Sequence, residues 1–557
     1  MNDPCAPGYD PGTGLYHVSF QWNPNGSDWG DIAWASAHSH DLIHWTVKAE
    51  PSLSPDSPYD YQGVFTGCQM PTIDGSITYA YTSVSALPIH HSLSHQRGSE
   101  SLSLAKSFDG GKSWTKVDAN PILPSEPPEL DVTGWRDPFV ARWAAMSKIL
   151  DRNPTSTLYG IISGGIRDVT PTTFLYAIDE SNLEQWEYVG PLVNYGLNAR
   201  PSMWSGDLGK NWEVTNFTSL QGADGSMINL LMMGTEGCLS TSTPDLIGPS
   251  RPARGQLWMV GSLQEPGANT YDSPVEMKYH FGGHLDHGCL YAANSFYDPK
   301  SQKQIVWAWI TEDDLCDDLR HLQGWSGMLS MPRELHMQTI QHVVRGCFSD
   351  LADITSIESR LDKNGTYTIS TLATQPYQPL VHALRRGPNV RKTSLTNQAL
   401  STSFLTNTRI STRQWELYVE IALATQAGRI GIRIAHSVDE TRCTEIAFNP
   451  QDEMITLSRP PLPFENSARL INSAPESAPH TLFTSRSPHT HMESTETLKI
   501  RAWRDNSVLE VFVNERTAIS TRLYGADETY GLSIFADEQS GSSELIRLDL
   551  WDGIGLP

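Results

Sequence analysis

SHDLIHW, residues 39–45, is a short turn sequence that ends in tryptophan, and it recurs further along the chain. The second copy is SFDGGKSW at residues 107–114, and a looser copy, DESNLEQW, lies at 179–186. The final tryptophans of the three copies are 69 and then 72 residues apart. Each copy follows strand-like runs, so we interpret it as the outer hairpin of one small β-sheet.

Short apolar runs bounded by Gly, Pro, Asn and Asp dominate the first part of the chain, and helical periodicity is scarce. Tyr16–Phe20, Ile77–Tyr81, Leu158–Ile162 and Ile305–Trp309 are examples. Such runs are typical of many short strands. Recurring four-stranded sheets at a regular period indicate a β-propeller, and about five units fit before residue 345.

The pattern changes after Met331–Leu335. Residues 350–400 are mixed and rich in Ser and Thr, and alternating strands resume at Trp415–Ile421 and Leu509–Val513. Alternation of this kind is typical of a β-sandwich. The sequence therefore predicts an all-β protein with a catalytic five-bladed propeller over residues 1–349, a linker and the start of a second domain over 350–400, and a sandwich over 401–557.

Composition narrows the possible partners. The net charge of −23 disfavours nucleic acid, because nucleic-acid binding depends on Lys and Arg contacts to phosphate. No apolar run is long enough to span a membrane. The seven Cys residues form no CxxC pair, so neither a zinc framework nor a disulfide scaffold follows.

The 17 Trp and 19 Tyr residues suit either flat platforms for sugar rings or the core of a large β-protein.

Localisation and oligomeric state stay open at this level. The sequence has no signal peptide as given, whereas Asn25, Asn216 and Asn364 each begin an N-x-S/T sequon. An extracellular location is expected if the N-terminus is truncated, and an intracellular one otherwise.

Three carboxylates stand in separate strand-and-turn contexts: Asp3 before Pro4, Asp137 in WRDP at 135–138, and Glu236 in TEGC at 235–238. Retaining glycoside cleavage needs one carboxylate as nucleophile and one carboxylic acid beside the leaving oxygen. The acid must keep its proton near working pH, which burial or a neighbouring carboxylate can arrange. Three propeller blades could direct these three side chains into one central cavity.

With their surroundings, these segments resemble glycoside hydrolase family 32, which holds invertases, inulinases and fructosyltransferases. The resemblance covers nearly the whole chain. It is carried by Met1–Pro4, Leu15–Pro24, Trp29–Trp34, Asp41–Trp45, Asp60–Gly67, Trp135–Pro138, Ala292–Asp298, Gly324–Leu335 and Leu509–Thr517.

The resemblance implies a five-bladed propeller followed by a β-sandwich, and sucrose or short fructooligosaccharides as substrates. It implies Asp3 as nucleophile, Asp137 as transition-state stabiliser and Glu236 as acid/base. It implies no cofactor and no metal. The residues expected to bind the sugar are Asn2, Gln21, Trp29, Asp60, Phe65, Thr66, Arg136, Asp286 and His287.

The chain also differs from the usual family pattern. Cys5-Ala6 follows the nucleophile motif where members usually have Asn-Gly, Gly237 separates Glu236 from Cys238, and His287 replaces a Tyr. These features resemble the filamentous-fungal fructosyltransferases. We therefore expect fructosyl transfer to a sugar, with His287 on the acceptor side or packed beneath the pocket; a plain invertase or inulinase is the alternative.

Other classes of function were weighed against this one. SFDGGKSW matches the Asp-box of sialidases, but that box is a structural turn, and no arginine cluster for a substrate carboxylate stands out. His90, His91 and His95 lack flanking carboxylate or Cys at ligand spacing, so a solvated loop is predicted. A propeller that only binds sugar is the non-enzymatic alternative.

Overall fold

The computed structural model of the protein describes residues 1–239, 249, 251–266, 273–400, 404–425, 427–439, 441–460, 470–525, 529–537 and 543–557. These residues form mainly β-strands. Their helices are α1 (Ala144–Ile149), α2 (Asp317–Gln323) and α3 (Gln378–Leu384). Over the described ranges, no helix has the length and apolar character needed to cross a bilayer.

The first four sheets each contain four antiparallel strands that follow one another along the chain. Their side chains are mostly buried on both faces, which suits runs rich in β-branched and aromatic residues. The strands are β1 (Pro4–Asp10), β2 (Leu15–Trp22), β3 (Ala33–Ser39) and β4 (Trp45–Val47); β5 (Gly63–Met70), β6 (Ile77–Val84), β7 (Glu100–Ser107) and β8 (Thr115–Lys116); β9 (Val132–Ala141), β10 (Thr157–Ile166), β11 (Thr170–Asp179) and β12 (Trp186–Pro191); β13 (Asn211–Gln221), β14 (Met227–Glu236), β15 (Arg254–Gln264) and β16 (Glu276–Asp286).

The fifth sheet takes in part of the stretch predicted to be a linker. Its strands are β17 (Leu290–Asp298), β18 (Lys303–Ile310), β19 (Met328–Leu329), β20 (Arg333–Arg345), β21 (Glu358–Leu361) and β22 (Tyr367–Pro376). β22 pairs with β20 along most of its length, so residues 358–376 belong to this sheet and do not form a linker. The Thr residues that suggested a linker are β-branched, and here they serve as strand residues.

Two six-stranded sheets follow, in the orders β23-β36-β25-β32-β33-β34 and β24-β35-β26-β27-β28-β29. Both contribute to one apolar core that includes Trp415, Ile432, Phe448 and Leu548. β30 and β31 join the fifth sheet. The bounds are β23 (Arg391–Ala399), β24 (Phe404–Thr408), β25 (Gln414–Ala422), β26 (Ile430–Ala435), β27 (Cys443–Asn449), β28 (Met454–Ser458), β29 (Glu476–Pro479), β30 (Thr484–Arg486), β31 (Glu493–Thr495), β32 (Leu498–Asp505), β33 (Val508–Val513), β34 (Thr517–Arg522), β35 (Gly531–Ala536) and β36 (Glu544–Asp552).

The copies of the repeated turn close the outer hairpins of the first three sheets. They lie between β3 and β4, β7 and β8, and β11 and β12. In the first copy, Asp41 accepts the backbone N–H groups of Ile43 (2.9 Å) and His44 (2.8 Å). In the second copy, Asp109 accepts the N–H group of Ser113 (2.9 Å). The predicted position of these turns is confirmed.

The first strands of the five sheets contact one another in succession: β1 with β5, β5 with β9, β9 with β13, β13 with β17, and β17 with β1. The Asn294 amide on β17 donates to the carbonyl oxygens of Pro4 (3.1 Å) and Gly67 (3.0 Å), so it links three of these strands. The pairing register of every first strand also shifts along its length. Such bulges change the direction of the side chains beside them.

Buried ion pairs join the fifth sheet to the last two sheets. Arg333 on β20 donates to Asp286 (2.9 Å) and to Glu510 on β33 (2.8 Å). Asp314, after β18, pairs with Arg459, which follows β28. Removing one partner of such a buried pair is strongly destabilising, so these contacts couple the two parts of the chain.

Candidate active site

The first strands surround a cavity of about 210 Å³. Asp3, Asp137 and Glu236 all line it, although they belong to three different sheets. Asp3 immediately precedes β1, Asp137 lies within β9, and Glu236 ends β14. The other predicted residues that line the cavity are Asn2, Gln21, Trp29, Phe65 and Arg136.

Asp3 is held by side chains of neighbouring strands. Thr66 Oγ1 donates to Asp3 Oδ2 (2.5 Å), and Gln21 Nε2 donates to Thr66 Oγ1 (2.8 Å). Thr66 therefore contacts the predicted nucleophile, which orients one carboxylate oxygen. Burial raises the pKa of Asp3 to about 7, although the Thr66 hydrogen bond acts in the opposite direction.

Asp137 sits at the register shift of β9 with φ 61°, in the left-handed region that few non-glycine residues adopt. Its backbone N–H donates to Thr82 Oγ1 (2.7 Å), and its Oδ2 accepts the N–H of Val214 (3.1 Å). Val214 also has a positive φ, 45°. Burial raises the pKa of the Asp137 carboxyl well above its usual range, against the opposing charge of Arg136.

The contacts of Glu236 converge on one oxygen. Oε2 accepts from Asn211 Nδ2 (2.9 Å) and Arg136 Nη2 (3.3 Å), and His91 Nδ1 is 3.8 Å from it. That last distance is too long for a hydrogen bond, so we treat the His91 contact as electrostatic. Burial alone raises the pKa of Glu236, but the His91 ring, the Arg136 guanidinium and Asn211 lower it to about 2.

Arg136 connects three carboxylates. It donates to Glu100 (2.9 Å), to Glu213 (2.9 and 2.8 Å) and to Glu236. Burial, together with the charge of Glu236, raises the pKa of the Glu213 carboxyl. An arginine bonded on several sides has little freedom to rotate, so it holds these groups in register.

Acidic groups outnumber basic ones on the cavity wall. Four carboxyl groups face two guanidinium groups: Asp3, Asp137, Glu213 and Glu236 against Arg136 and Arg254. An oxocarbenium-like transition state is cationic at the sugar ring. A wall with excess carboxylate stabilises such a charge where it develops.

Sequence analysis missed six lining residues, which are Ile89, His90, Glu213, Arg254, Tyr291 and Trp309. For two of them, strand pairing explains the position on the cavity wall. Glu213 pairs with Gly234, two residues before Glu236, and Arg254 pairs directly with Glu236. Ile89 and His90 come from the loop between β6 and β7, where no periodic pattern predicts direction.

Four of the predicted sugar-binding residues, Asp60, Thr66, Asp286 and His287, are not among the residues that line the cavity. Asp60 is buried and accepts from Lys116 Nζ (2.6 Å). Asp286 is buried against Arg333. His287 stacks on His284 with ring centroids 4.2 Å apart and lines a separate cavity of about 30 Å³. Cationic partners satisfy the Asp60 and Asp286 carboxylates, and motif position alone did not reveal that.

The loop histidines are also corrected. His91 and His95 are not solvated, because their side chains are only 16% and 6% exposed. His95 lies between Glu126 (3.3 Å) and Glu100 (3.7 Å). His90 is exposed and forms part of the cavity wall.

Two family models match most of this chain. A family model described as "Glycosyl hydrolases family 32 N-terminal domain" matches residues 1–345, and one described as "Glycosyl hydrolases family 32 C terminal" matches residues 381–552. Beta-fructofuranosidase 1 of Zea mays is 28% identical over 352 residues, covering 61% of this chain and 47% of that protein. The acid beta-fructofuranosidase of Solanum lycopersicum is 30% identical over 340 residues, covering 60% and 46%. The chain thus spans about half the length of these curated relatives.

Two solved structures are similar over the whole chain. A fructosyltransferase from A. japonicus has a TM-score of 0.85 and 26% identity, covering 100% of this chain and 93% of that one. A beta-fructofuranosidase from Aspergillus kawachii, complexed with glycerol, has a TM-score of 0.84 and 28% identity, covering 100% and 92%.

Proposed function

Because this chain belongs to the glycosyl hydrolases of family 32, we propose that it cleaves sucrose by a retaining β-fructofuranosidase mechanism. The observation that carries the proposal is the meeting of Asp3, Asp137 and Glu236 in one cavity. Short fructooligosaccharides are further substrates of the same chemical class. The names of the similar proteins support this substrate class.

Asp3 is the nucleophile and Glu236 the acid/base. Asp3 attacks the anomeric carbon of the fructosyl unit and forms an ester while the glycosidic bond breaks. The bonding electrons leave on the glucosyl oxygen, which takes a proton from Glu236. In the second step Glu236 removes a proton from water or from an acceptor hydroxyl, whose oxygen displaces Asp3.

Catalysis needs a charged Asp3 and a protonated Glu236, whereas the pKa shifts favour the reverse. Sugar binding supplies the change. Sugar hydroxyls that donate to Asp3 favour its charged form, and a glucosyl unit that shields Glu236 from water raises the pKa of that group. The carboxyl groups of the cavity interact closely, so they titrate together. A proton lost by Asp3 and a proton gained by Glu236 are therefore parts of one redistribution.

Asp137 stabilises the transition state. Its carboxylate accepts hydrogen bonds from fructosyl hydroxyls, and the Val214 N–H already orients one of its oxygens. The strained backbone at Asp137 is a stored cost of roughly 1–3 kcal/mol that the surrounding strands maintain. Trp29 is 53% exposed beside Phe65, with ring centroids 5.4 Å apart, and offers a flat surface to the sugar ring.

The architecture belongs to the same proposal. The five sheets form a closed five-bladed propeller with its catalytic part in residues 1–349. Residues 350–400 add β21 and β22 to the fifth sheet and then lead into the second domain, and the two six-stranded sheets form a β-sandwich largely within residues 401–557. The succession of contacts from β1 round to β17 and back to β1 supports closure of the ring.

Transfer to sugar is the finer part of the proposal. Hydrolysis and transfer share all three carboxylates, so the outcome depends on whether an acceptor sugar is oriented over the intermediate better than water. Ile89 and His90 lie on the cavity wall and, in place of His287, provide the acceptor-side contacts. The fructosyltransferase from A. japonicus and the beta-fructofuranosidase from Aspergillus kawachii are about equally similar to this chain, and hydrolysis is therefore the second candidate.

Sucrose cleavage by matched variants tests the mechanism. Asp3→Asn and Glu236→Gln are nearly isosteric, and each is expected to fold and to lower kcat at least about 10³-fold. Glu187→Gln, at an exposed position, serves as the control and keeps full activity. Near-full turnover by Asp3→Asn contradicts the assignment of the nucleophile.

Product analysis in concentrated sucrose tests transfer. We expect kestose-type trisaccharides as the main early product, with glucose in excess over free fructose. Equal glucose and fructose without trisaccharide contradicts transfer and leaves an invertase. If no fructoside is cleaved at all, the whole proposal fails.

A further inference from the structure

The loop between β6 and β7 brings two histidines to the predicted acid/base. One ring nitrogen of His90, one of His91 and one carboxylate oxygen of Glu236 all lie within 4.8 Å of one another. The rings of His90 and His91 are in contact, with centroids 4.2 Å apart and a tilt of 39°. Two imidazoles and a carboxylate are a ligand set used by open zinc sites.

The nitrogen atoms are suited to bind a ligand. His91 Nδ1 is buried and has no hydrogen-bond partner among the described residues, although Glu236 Oε2 is only 3.8 Å away. His90 Nδ1 is paired with Ser92 Oγ (2.7 Å), which leaves Nε2 as its second nitrogen. Metal-binding histidines commonly use the other ring nitrogen in such a supporting contact.

Backbone geometry holds the loop against Glu236. Arg167 donates to the carbonyl oxygens of Leu93 (2.6 Å) and His91 (3.4 Å). Gly237 has φ 67°, and a Cβ built there would lie 2.9 Å from His91 Nε2. The glycine that follows Glu236 in this chain is therefore what allows the His91 ring to approach.

We propose that His90, His91 and Glu236 form a binding site for a divalent transition metal of the zinc and copper class, and that the bound metal inhibits the enzyme. The inhibitory part rests on the proposed function, because the metal occupies the carboxylate that must exchange protons with substrate. In a tetrahedral site, metal–ligand bonds of about 2.1 Å place the ligand atoms about 3.4 Å apart. Side-chain rotations that move the ligand atoms by roughly 1 Å would bring the three groups to this spacing. Mg²⁺ and Ca²⁺ prefer oxygen ligands and bind weakly here.

Zinc binding to tag-free, chelator-treated enzyme tests the site directly. Calorimetry with Zn²⁺ alone is expected to show one site per chain that His90→Ala or His91→Ala weakens at least about tenfold. His40→Ala, at an exposed turn, is the control and leaves this binding unchanged. Thermal unfolding is measured first, and His91→Gln replaces His91→Ala if the latter does not fold.

Kinetics test the inhibitory role. Zn²⁺ is expected to inhibit sucrose cleavage competitively, whereas equal Mg²⁺ does not, and His90→Ala is expected to raise the inhibition constant at least about tenfold. Zinc binding that is unchanged in both histidine variants overturns the site, and unchanged inhibition in them overturns its role. Zinc binding is measured without substrate. If the enzyme cleaves no fructoside, the proposed function fails, and the calorimetry alone decides whether the metal site exists.

Discussion

Asp314, at the junction with the last two sheets, is buried, and Asp3 in the cavity is partly buried, yet folding shifts the pKa values of the two carboxyls in opposite directions. Asp314 accepts two hydrogen bonds from Arg251 (2.7 and 3.0 Å) and pairs with Arg459. Burial raises the pKa of Asp314, but these guanidinium groups bring it below its usual value. Among the residues that the structure describes, the donors that contact the Asp3 carboxyl, Thr66 and Gln21, are neutral, and burial raises its pKa to about 7.

The opposite pKa shifts follow from the partners of the two carboxyls. At the junction, Asp314 and Glu476 meet Arg251 and Arg459, so charges balance. On the cavity wall, four carboxyls meet two guanidiniums. At the junction the charges are paired, whereas on the cavity wall burial favours the protonated forms of Asp3, Asp137 and Glu213.

The largest stability effect is expected at the junction. Asp314→Asn removes the buried carboxylate between Arg251 and Arg459, which keep Glu476 as a partner, and should lower the free energy of unfolding by up to about 3–5 kcal/mol at pH 6. Because folding lowers the pKa of Asp314, its contribution is complete above the unfolded value of 3.8 and is lost as pH falls through the folded value. Urea unfolding at pH 6 and pH 3 should show the gap between wild type and variant narrowing at pH 3. If the difference in free energy of unfolding between wild type and variant is larger at pH 3 than at pH 6, Asp314 is not stabilised by its charge.

Asp3→Asn should show the opposite pH dependence. Folding raises the pKa of Asp3 from 3.8 to about 7, so wild-type stability falls as pH rises between these values. The variant has no proton to lose, and its stability relative to wild type should increase over this range by up to about 4 kcal/mol. Tm measured for both proteins from pH 4.5 to pH 8 gives the slope. Parallel Tm curves would mean that Asp3 is not strained by burial.

The smallest effect is expected at the outer turns, where the carboxylate has its partners but stays in water. Asp41→Ala removes the acceptor for two backbone N–H groups and should lower Tm by about 1–3 °C. Activity on sucrose should not change, because this turn lies outside the cavity wall. A large loss of activity would contradict the separation between the cavity and the outer hairpins.

Sequence patterns predicted the features that depend on local chemistry. The turns ending at Trp45, Trp114 and Trp186 were located because a carboxylate that accepts nearby N–H groups leaves a local signature. Asp3, Asp137 and Glu236 were brought together correctly, because each lies on or beside a strand that reaches the cavity.

Features that depend on register or tertiary pairing escaped the sequence analysis. Arg254 reaches the cavity because β15 places it opposite Glu236, and no motif encodes that alignment. His287 stands in a family-like motif, but its ring packs on His284 and lines a different cavity from Asp3. The histidine loop looked solvated because its acidic partners, Glu126 and Glu236, are distant in sequence.

The Asn294 side chain has a consequence for synthesis of the protein. Its amide holds Pro4, next to the predicted nucleophile, from a position 290 residues later in the chain. At roughly 5–20 residues per second, a ribosome needs about 15–60 s to travel that far. During this interval β1 has been synthesised, but the Asn294 amide that donates to Pro4 has not. Active enzyme therefore arises late in translation, and chaperone depletion should reduce the yield of active protein more than the yield of folded first sheets.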